Sequence, residues 1–425
     1  MLERTKSPAA HWATTLATLL FGSILCTGVR AAEPIGVSNP VHGYDAPPSR
    51  DRLAKLKGEV EAGRVTLDTS DELALLRSVL RSLDVPATSQ MLVTSATSFQ
   101  KTIISPKRPR ALYFNDDTYV GFVPGGQIEV ISIDPDRGGM FYIFNRLERG
   151  KVPRIRRSEN CLTCHATAKM EEIPQLVIES VVPGITGGGE MAFRRDQHGH
   201  GVPLEDRFGG WLVTGGPDVL KHRGNVLVEW KKGQAVERPI KPGELYDPAR
   251  FPLPTSDLLP HLLHEHQIGF VNQAVAASYR TRVLLHENAG KAEAVSAELE
   301  KLARELVRYL LFADEVPLPK GGVEGSKEFK ADFLAKRRIA SNGYSLRDLD
   351  LKTRLMRFRC SYMIESSAFA GLPEPLRYHV DRELARALGP ESGGKEYAYL
   401  PADEKRVIRE VLAETVLNSS RPQQK

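Results

Sequence analysis

The sequence predicts an α+β protein, with an antiparallel, β-rich N-terminal and middle part and a mainly helical C-terminal part. Short runs rich in Val, Ile, Tyr, Phe and Thr, separated by turn residues, fill residues 90–145. From about residue 256 the apolar spacing becomes that of helices. The two textures follow one another instead of alternating, which argues against a parallel βαβ sheet.

The first thirty-one residues read as a secretory signal peptide. Arg4 and Lys6 precede an apolar run from Ala13 to Val29, and small residues follow to a cleavage point after Ala31. The alternative is a retained anchor helix, for which the apolar run is short. Cleavage implies a periplasmic or otherwise exported protein with no stable membrane span. It removes three cations and one anion, so the formal charge falls from +5 to +3. That mild excess gives no support for nucleic-acid binding.

After a Pro-rich arm, Glu33 to Arg50, Ser70-Asp71-Glu72 caps a helix with Leu73, Leu76, Val79, Leu80 and Leu83 on one face. The β-type runs 90–99, 111–123, 127–133 and 140–145 follow. Their turns are Asn115-Asp116-Asp117, Pro124-Gly125-Gly126 and Asp134-Pro135-Asp136. Residues 146–157 contain Gly and Pro breakers and many basic residues, and read as a loop. Further strands are expected at 175–182 and 225–230. A helix capped by Ser256-Asp257 tolerates Pro260 in its first turn. Its apolar stripe is Leu259, Leu262, Leu263, Phe270 and Ala274, with His266 on that stripe and His261 and His264 turned away. Later helices are expected near 291–313, 327–337, 376–388 and 401–417. The expected organisation is a signal peptide (1–31), a β-rich region (32–250) that carries Cys161 and Cys164, and a helical region (251–425) packed on it as one integrated unit.

Cys161-Leu162-Thr163-Cys164-His165 is a C-x-x-C-H segment, the pattern of covalent haem c attachment. Two thiols at this spacing reach the two vinyl groups on one porphyrin edge, and the next residue places an imidazole over the iron. A redox dithiol or half of a zinc site also begins with C-x-x-C. There is no second C-x-x-C to complete a zinc site, and the surroundings are not the βαβ context of a thioredoxin-like dithiol. The expected cofactor is therefore one covalent haem c, bound by Cys161 and Cys164 with His165 as an axial ligand. For the other side of the iron the candidates are His222, His200, His266 and Met191. A core role for the lone apolar-face His266 is the competing reading. Cys360 is expected to be a buried thiol.

The runs Ile104-Ser105-Pro106, Ala111 to Asp117, the C-x-x-C-H segment, Gly209 to Gly215, Glu265-His266-Gln267 and Leu346 to Arg354 resemble a largely uncharacterised family of exported bacterial cytochrome c domain proteins with a single haem motif. The likeness spans about residues 90 to 390. It implies haem binding, electron transfer with an unidentified redox partner protein, and histidines at the positions of His200, His222 and His266. The competing function is a haem-dependent oxidoreductase, peroxidase-like or oxidising a small molecule, with an open distal site. A mature chain of this length exceeds what a one-haem carrier needs.

Overall fold

The computed structural model describes residues 34–417, apart from 48, 149–150, 195–197, 218–219 and 390–394. The expected signal segment lies outside the described residues. Pro34–Lys425 forms one compact unit, built on a seven-stranded antiparallel sheet in the order β6-β5-β4-β3-β2-β1-β9. Its strands are β1 (Met91–Val93), β2 (Arg110–Phe114), β3 (Thr118–Phe122), β4 (Ile128–Asp134), β5 (Gly138–Phe144), β6 (Ile155–Arg157) and β9 (Trp211–Leu212). Two separate hairpins complete the β structure: β7 (Ser180–Pro183) with β8 (Gly189–Arg194), and β10 (Val226–Lys231) with β11 (Gln234–Pro239). The α+β reading is correct.

Period-two alternation divides the sheet's side chains between two cores. On one face Val120, Phe122, Val130, Met140 and Tyr142 pack against Leu53, Leu56, Leu76 and Val79. Those leucines and Val79 come from α1 (Arg52–Glu61) and α2 (Glu72–Ser82), capped by Asp51 and Asp71. The sequence reading placed α2 and its cap but not α1. On the other face Phe114, Tyr119 and Ile133 meet the long helix α4 (Leu258–Glu287). The same core takes in residues of α5 (Ser296–Leu310), α6 (Lys327–Ala335), α7 (Ser367–Ala370), α8 (Glu374–Leu388) and α9 (Ala402–Leu412). The short helix α3 (Leu162–His165) belongs to the C-x-x-C-H segment.

Turn chemistry fixes how the sheet meets α4. Asp134 Oδ1 accepts the Asp136 and Arg137 amides at 2.9 and 3.1 Å, and Oδ2 accepts the Arg50 amide at 2.7 Å. The chain then needs a left-handed residue, Gly138 at φ 77°, and a Cβ there would lie 2.6 Å from Val275 on α4. Only glycine allows that approach.

Two expectations are corrected here. Residues 155–157 are not loop: they form β6, so the C-x-x-C-H segment follows directly from an edge strand. The helix begun by Asp257 is not amphipathic. His261, His264, Glu265, His266, Gln267 and Asn272 are all buried along with its apolar stripe. Apolar spacing marked one face, but the helix is covered by the sheet on one side and by helices on the other.

Burial holds the His261 imidazole at a pKa of about 4 and that of His264 at about 3, below the ordinary 6.5. In the unfolded chain both take up protons as the pH drops below 6.5, while the folded protein keeps them neutral to about 4. The unfolded state then binds more protons, so stability falls with pH through that window, by at most on the order of 3 kcal/mol per histidine. Urea denaturation should show a lower midpoint at about pH 5 than at about pH 7.5, and His264→Leu should flatten the dependence. A midpoint that is level with pH in both proteins contradicts neutral burial.

Candidate haem-attachment site

Strand β6 delivers the motif. Ile155 pairs with Phe144 and Arg157 with Tyr142. The chain then leaves the sheet with the Ser158 amide donating to the Phe141 carbonyl at 2.9 Å. One 3-10 turn, Glu159–Cys161, runs into α3. Cys161 is half-buried and Cys164 exposed, and both thiols are free. Burial, with a smaller contribution from Glu129, pushes the Cys161 thiol pKa up, and a bond from Ser158 opposes this. It is therefore a protonated thiol at neutral pH.

His165 is held more firmly than its place on a four-residue helix suggests. Its Nδ1 donates to the Gln175 carbonyl at 2.8 Å, and the Gln175 amide returns a bond to the His165 carbonyl at 2.8 Å. The ring packs on Phe141 with centroids 4.8 Å apart. Gln175 is in turn fixed through its neighbour. The Leu176 amide donates to Asn272 Oδ1 and Asn272 Nδ2 donates to the Leu176 carbonyl, each at 2.8 Å. An ion pair from Arg280 on α4 to Glu171, 2.6 Å, pins the intervening loop. The helix α4 thus positions His165 through Asn272, Leu176 and Gln175.

This arrangement settles the imidazole's protonation. A ring whose Nδ1–H is given to a carbonyl keeps its lone pair on Nε2. Burial lowers its pKa to about 4, so the ring is neutral at physiological pH, although the Gln175 carbonyl works in the other direction. No hydrogen bond to Nε2 occurs among the described residues. A neutral imidazole with one committed nitrogen and one available lone pair is what an iron ligand requires, and two free thiols stand beside it. The donor set fits a covalently attached haem.

The distal candidates fall into three places. His200 and His266 lie together, deeply buried, with Nδ1 to Nδ1 at 2.8 Å. His200 Nε2 donates to the Ala313 carbonyl at 3.2 Å, so its Nδ1 accepts from His266 Nδ1–H. His266 Nε2 then accepts the Ser361 hydroxyl at 2.7 Å. Tyr309 and Phe312 stack on both rings. All four nitrogens are used, and His266 lies six residues, ~9 Å of helix, from Asn272. As arranged, all four ring nitrogens of His200 and His266 are engaged with protein groups. The core role weighed for His266 describes its contacts.

His222 sits in a second place, edge-on to Phe208, whose other contact is His261. Its Nδ1 accepts the Gly224 amide at 2.9 Å. Met191 is half-buried on β8, opposite Val182 of β7. No described contact joins either residue to His165. Among the described residues no three His, Cys, Asp or Glu side chains converge as an all-protein metal site.

Sequence reasoning missed the residues that orient His165. Phe141 reads only as part of a strand, and Gln175 acts through its backbone, which leaves no signature. Asn272 had a signal, since an asparagine inside an otherwise apolar helix turn needs a partner. Comparisons with family models, with curated proteins and with solved structures returned no match.

The His200–His266–Ser361 chain makes a specific prediction. Ser361→Ala strips the donor from His266 Nε2 and leaves a buried acceptor unpaired, at a cost of about 1–3 kcal/mol. Urea denaturation of the variant should show that loss. A midpoint equal to that of wild type contradicts the bond from Ser361 to His266 Nε2.

Proposed function

We propose that this chain is an exported mono-haem c-type cytochrome that transfers electrons, with Cys161 and Cys164 as the thioether residues and His165 as an axial ligand. The observation that carries the reading is the reciprocal bonding of His165 and Gln175, which presents a neutral imidazole lone pair beside two free thiols. When bound, the haem supplies a one-electron couple at its iron. The chain's own residues do the rest. Cys161 and Cys164 retain the group in a compartment where a lost cofactor is not reloaded. Gln175 and Phe141 fix the orientation of the imidazole. Asn272 ties that orientation to the most buried helix of the fold, so the ligand need not reorganise when the charge at the iron changes.

An exported chain with a covalent cofactor and no helix among the described residues long and apolar enough to cross a membrane supports delivery of electrons to or from a separate, unidentified partner protein. One observation favours the second reading, a haem oxidoreductase with an open distal site. Two of the four distal candidates, His200 and His266, have every ring nitrogen engaged elsewhere. Of those four, Met191 and His222 remain to complete a six-coordinate iron.

Expression with a cytochrome c maturation system tests both readings. Haem should survive denaturing electrophoresis in wild type and be lost from the Cys161→Ala/Cys164→Ala double variant. His165→Ala should keep the covalent group and lose the wild-type spectrum. Met191→Ala and His222→Ala decide the carrier question. Conversion of one of them to a high-spin spectrum supports electron transfer. A wild type already five-coordinate, with a spectrum that responds to peroxide or small anions, supports the enzyme.

A further inference from the structure

One charged pair on the sheet is badly satisfied. Arg110 opens β2, and Glu129 is the second residue of β4. Register places both on the face that also carries Phe141, under the His165 ring. Their closest approach, Nη1 to Oε2, is a long 3.4 Å. The two reach each other across β3, over Gly121. A Cβ there would lie 3.5 Å from both Glu129 Oε2 and Leu112 Cδ2. The Arg110 side chain is only 15% exposed, and its Nε is buried with no hydrogen-bond partner. A largely desolvated guanidinium with one long contact and an idle donor is costly for a fold to keep.

Its position gives a reason. Leu112 and Ile131, on the same face, are only partly buried although they lie within the sheet. The field of Glu129 reaches the Cys161 thiol and that of Arg110 reaches the His165 ring. Thioether attachment occupies the vinyl edge of a haem, so its two carboxylates leave from the opposite edge, away from the cysteines. Arg156 shares the face but lies on β6, at the attachment side. Arg110 stands four strands from β6, roughly 19 Å at ordinary strand spacing, with a bidentate fork suited to a carboxylate.

We propose that Arg110 receives a carboxylate of the covalently attached haem, with Glu129 holding the guanidinium in place across Gly121. The inference rests on the haem reading above. Arg110 is a positioning and charge-setting residue, and the exchange of one carboxylate partner for another needs no oxidant or co-reactant. Removing the cation makes reduction of the nearby iron less favourable. Removing the Glu129 charge makes it more favourable.

Wild type, Arg110→Met, Glu129→Gln and the control Arg156→Met are to be compared by intact mass, by spectroelectrochemistry at one pH and by resonance Raman spectroscopy of the propionate-bending bands. All four should carry covalent haem. The midpoint should shift down in Arg110→Met and up in Glu129→Gln. The propionate band should move in Arg110→Met and stay in place in Arg156→Met. Should Arg110→Met fail to accumulate, Glu129→Gln decides alone: an upward shift with a displaced propionate band supports the proposal, and any other result overturns it. Midpoints that do not move in these opposite directions, or a propionate band indifferent to Arg110, overturn it. A wild type without covalent haem fails at the mass measurement, which separates loss of the cofactor reading from loss of this one.

Discussion

A helix enclosed on every side has no water with which to satisfy its polar side chains, and α4 carries six such residues between His261 and Asn272. Each unpaired one costs about 1–3 kcal/mol; the partners of four of them constrain the surrounding segments, while His261 Nε2 and His264 Nδ1 have no hydrogen-bond partner among the described residues. Glu265 is paired with Arg194, both almost completely inaccessible. Gln267 donates to the Asn115 carbonyl and accepts from the Tyr362 hydroxyl. His266 engages His200, and Asn272 engages both backbone groups of Leu176. These bonds join the sheet, the segment after the haem motif and the C-terminal helices to a single element. On the side away from the sheet, α5 and α7 pack directly on α4.

The site inherits its rigidity from this helix. A haem motif at the end of a three-residue edge strand would by itself be a loosely held turn. The reciprocal bonds between His165 and Gln175 close the ten-residue loop, and Asn272 fixes the closure to α4. Burial also sets the electrostatics. The imidazoles of His261, His264 and His266 on α4 are held neutral at physiological pH by their burial. On the sheet face that carries Phe141, the pairing of Arg110 with Glu129 is long and leaves Arg110 Nε without a partner.

Much of the fold was legible because local chemistry and global structure agree. The Asp134-Pro135-Asp136 turn, the Asp71 cap, the Asp257 cap and the β-type runs each specify their element without help from distant residues. The C-x-x-C-H segment was legible as a motif for the same reason. What could not be read depends on contacts distant in sequence. The partnership of His200 with His266 spans 66 residues, and the bond from Asn272 to Leu176 spans 96. Apolar spacing called α4 one-sided, since its histidines and glutamate look solvent-facing until their partners are known. Strand β6 was hidden by Arg156 and Arg157, which a sheet edge accepts and a central strand would not.

The account turns on whether Cys161 and Cys164 are spent on one haem. Mass analysis of the proteolytic peptide that contains Cys161–His165, isolated from matured protein under denaturing conditions, tests this directly. The predicted result is a single peptide carrying one haem mass through both cysteines. Free thiols, or a disulfide between Cys161 and Cys164 with no added haem, would contradict it.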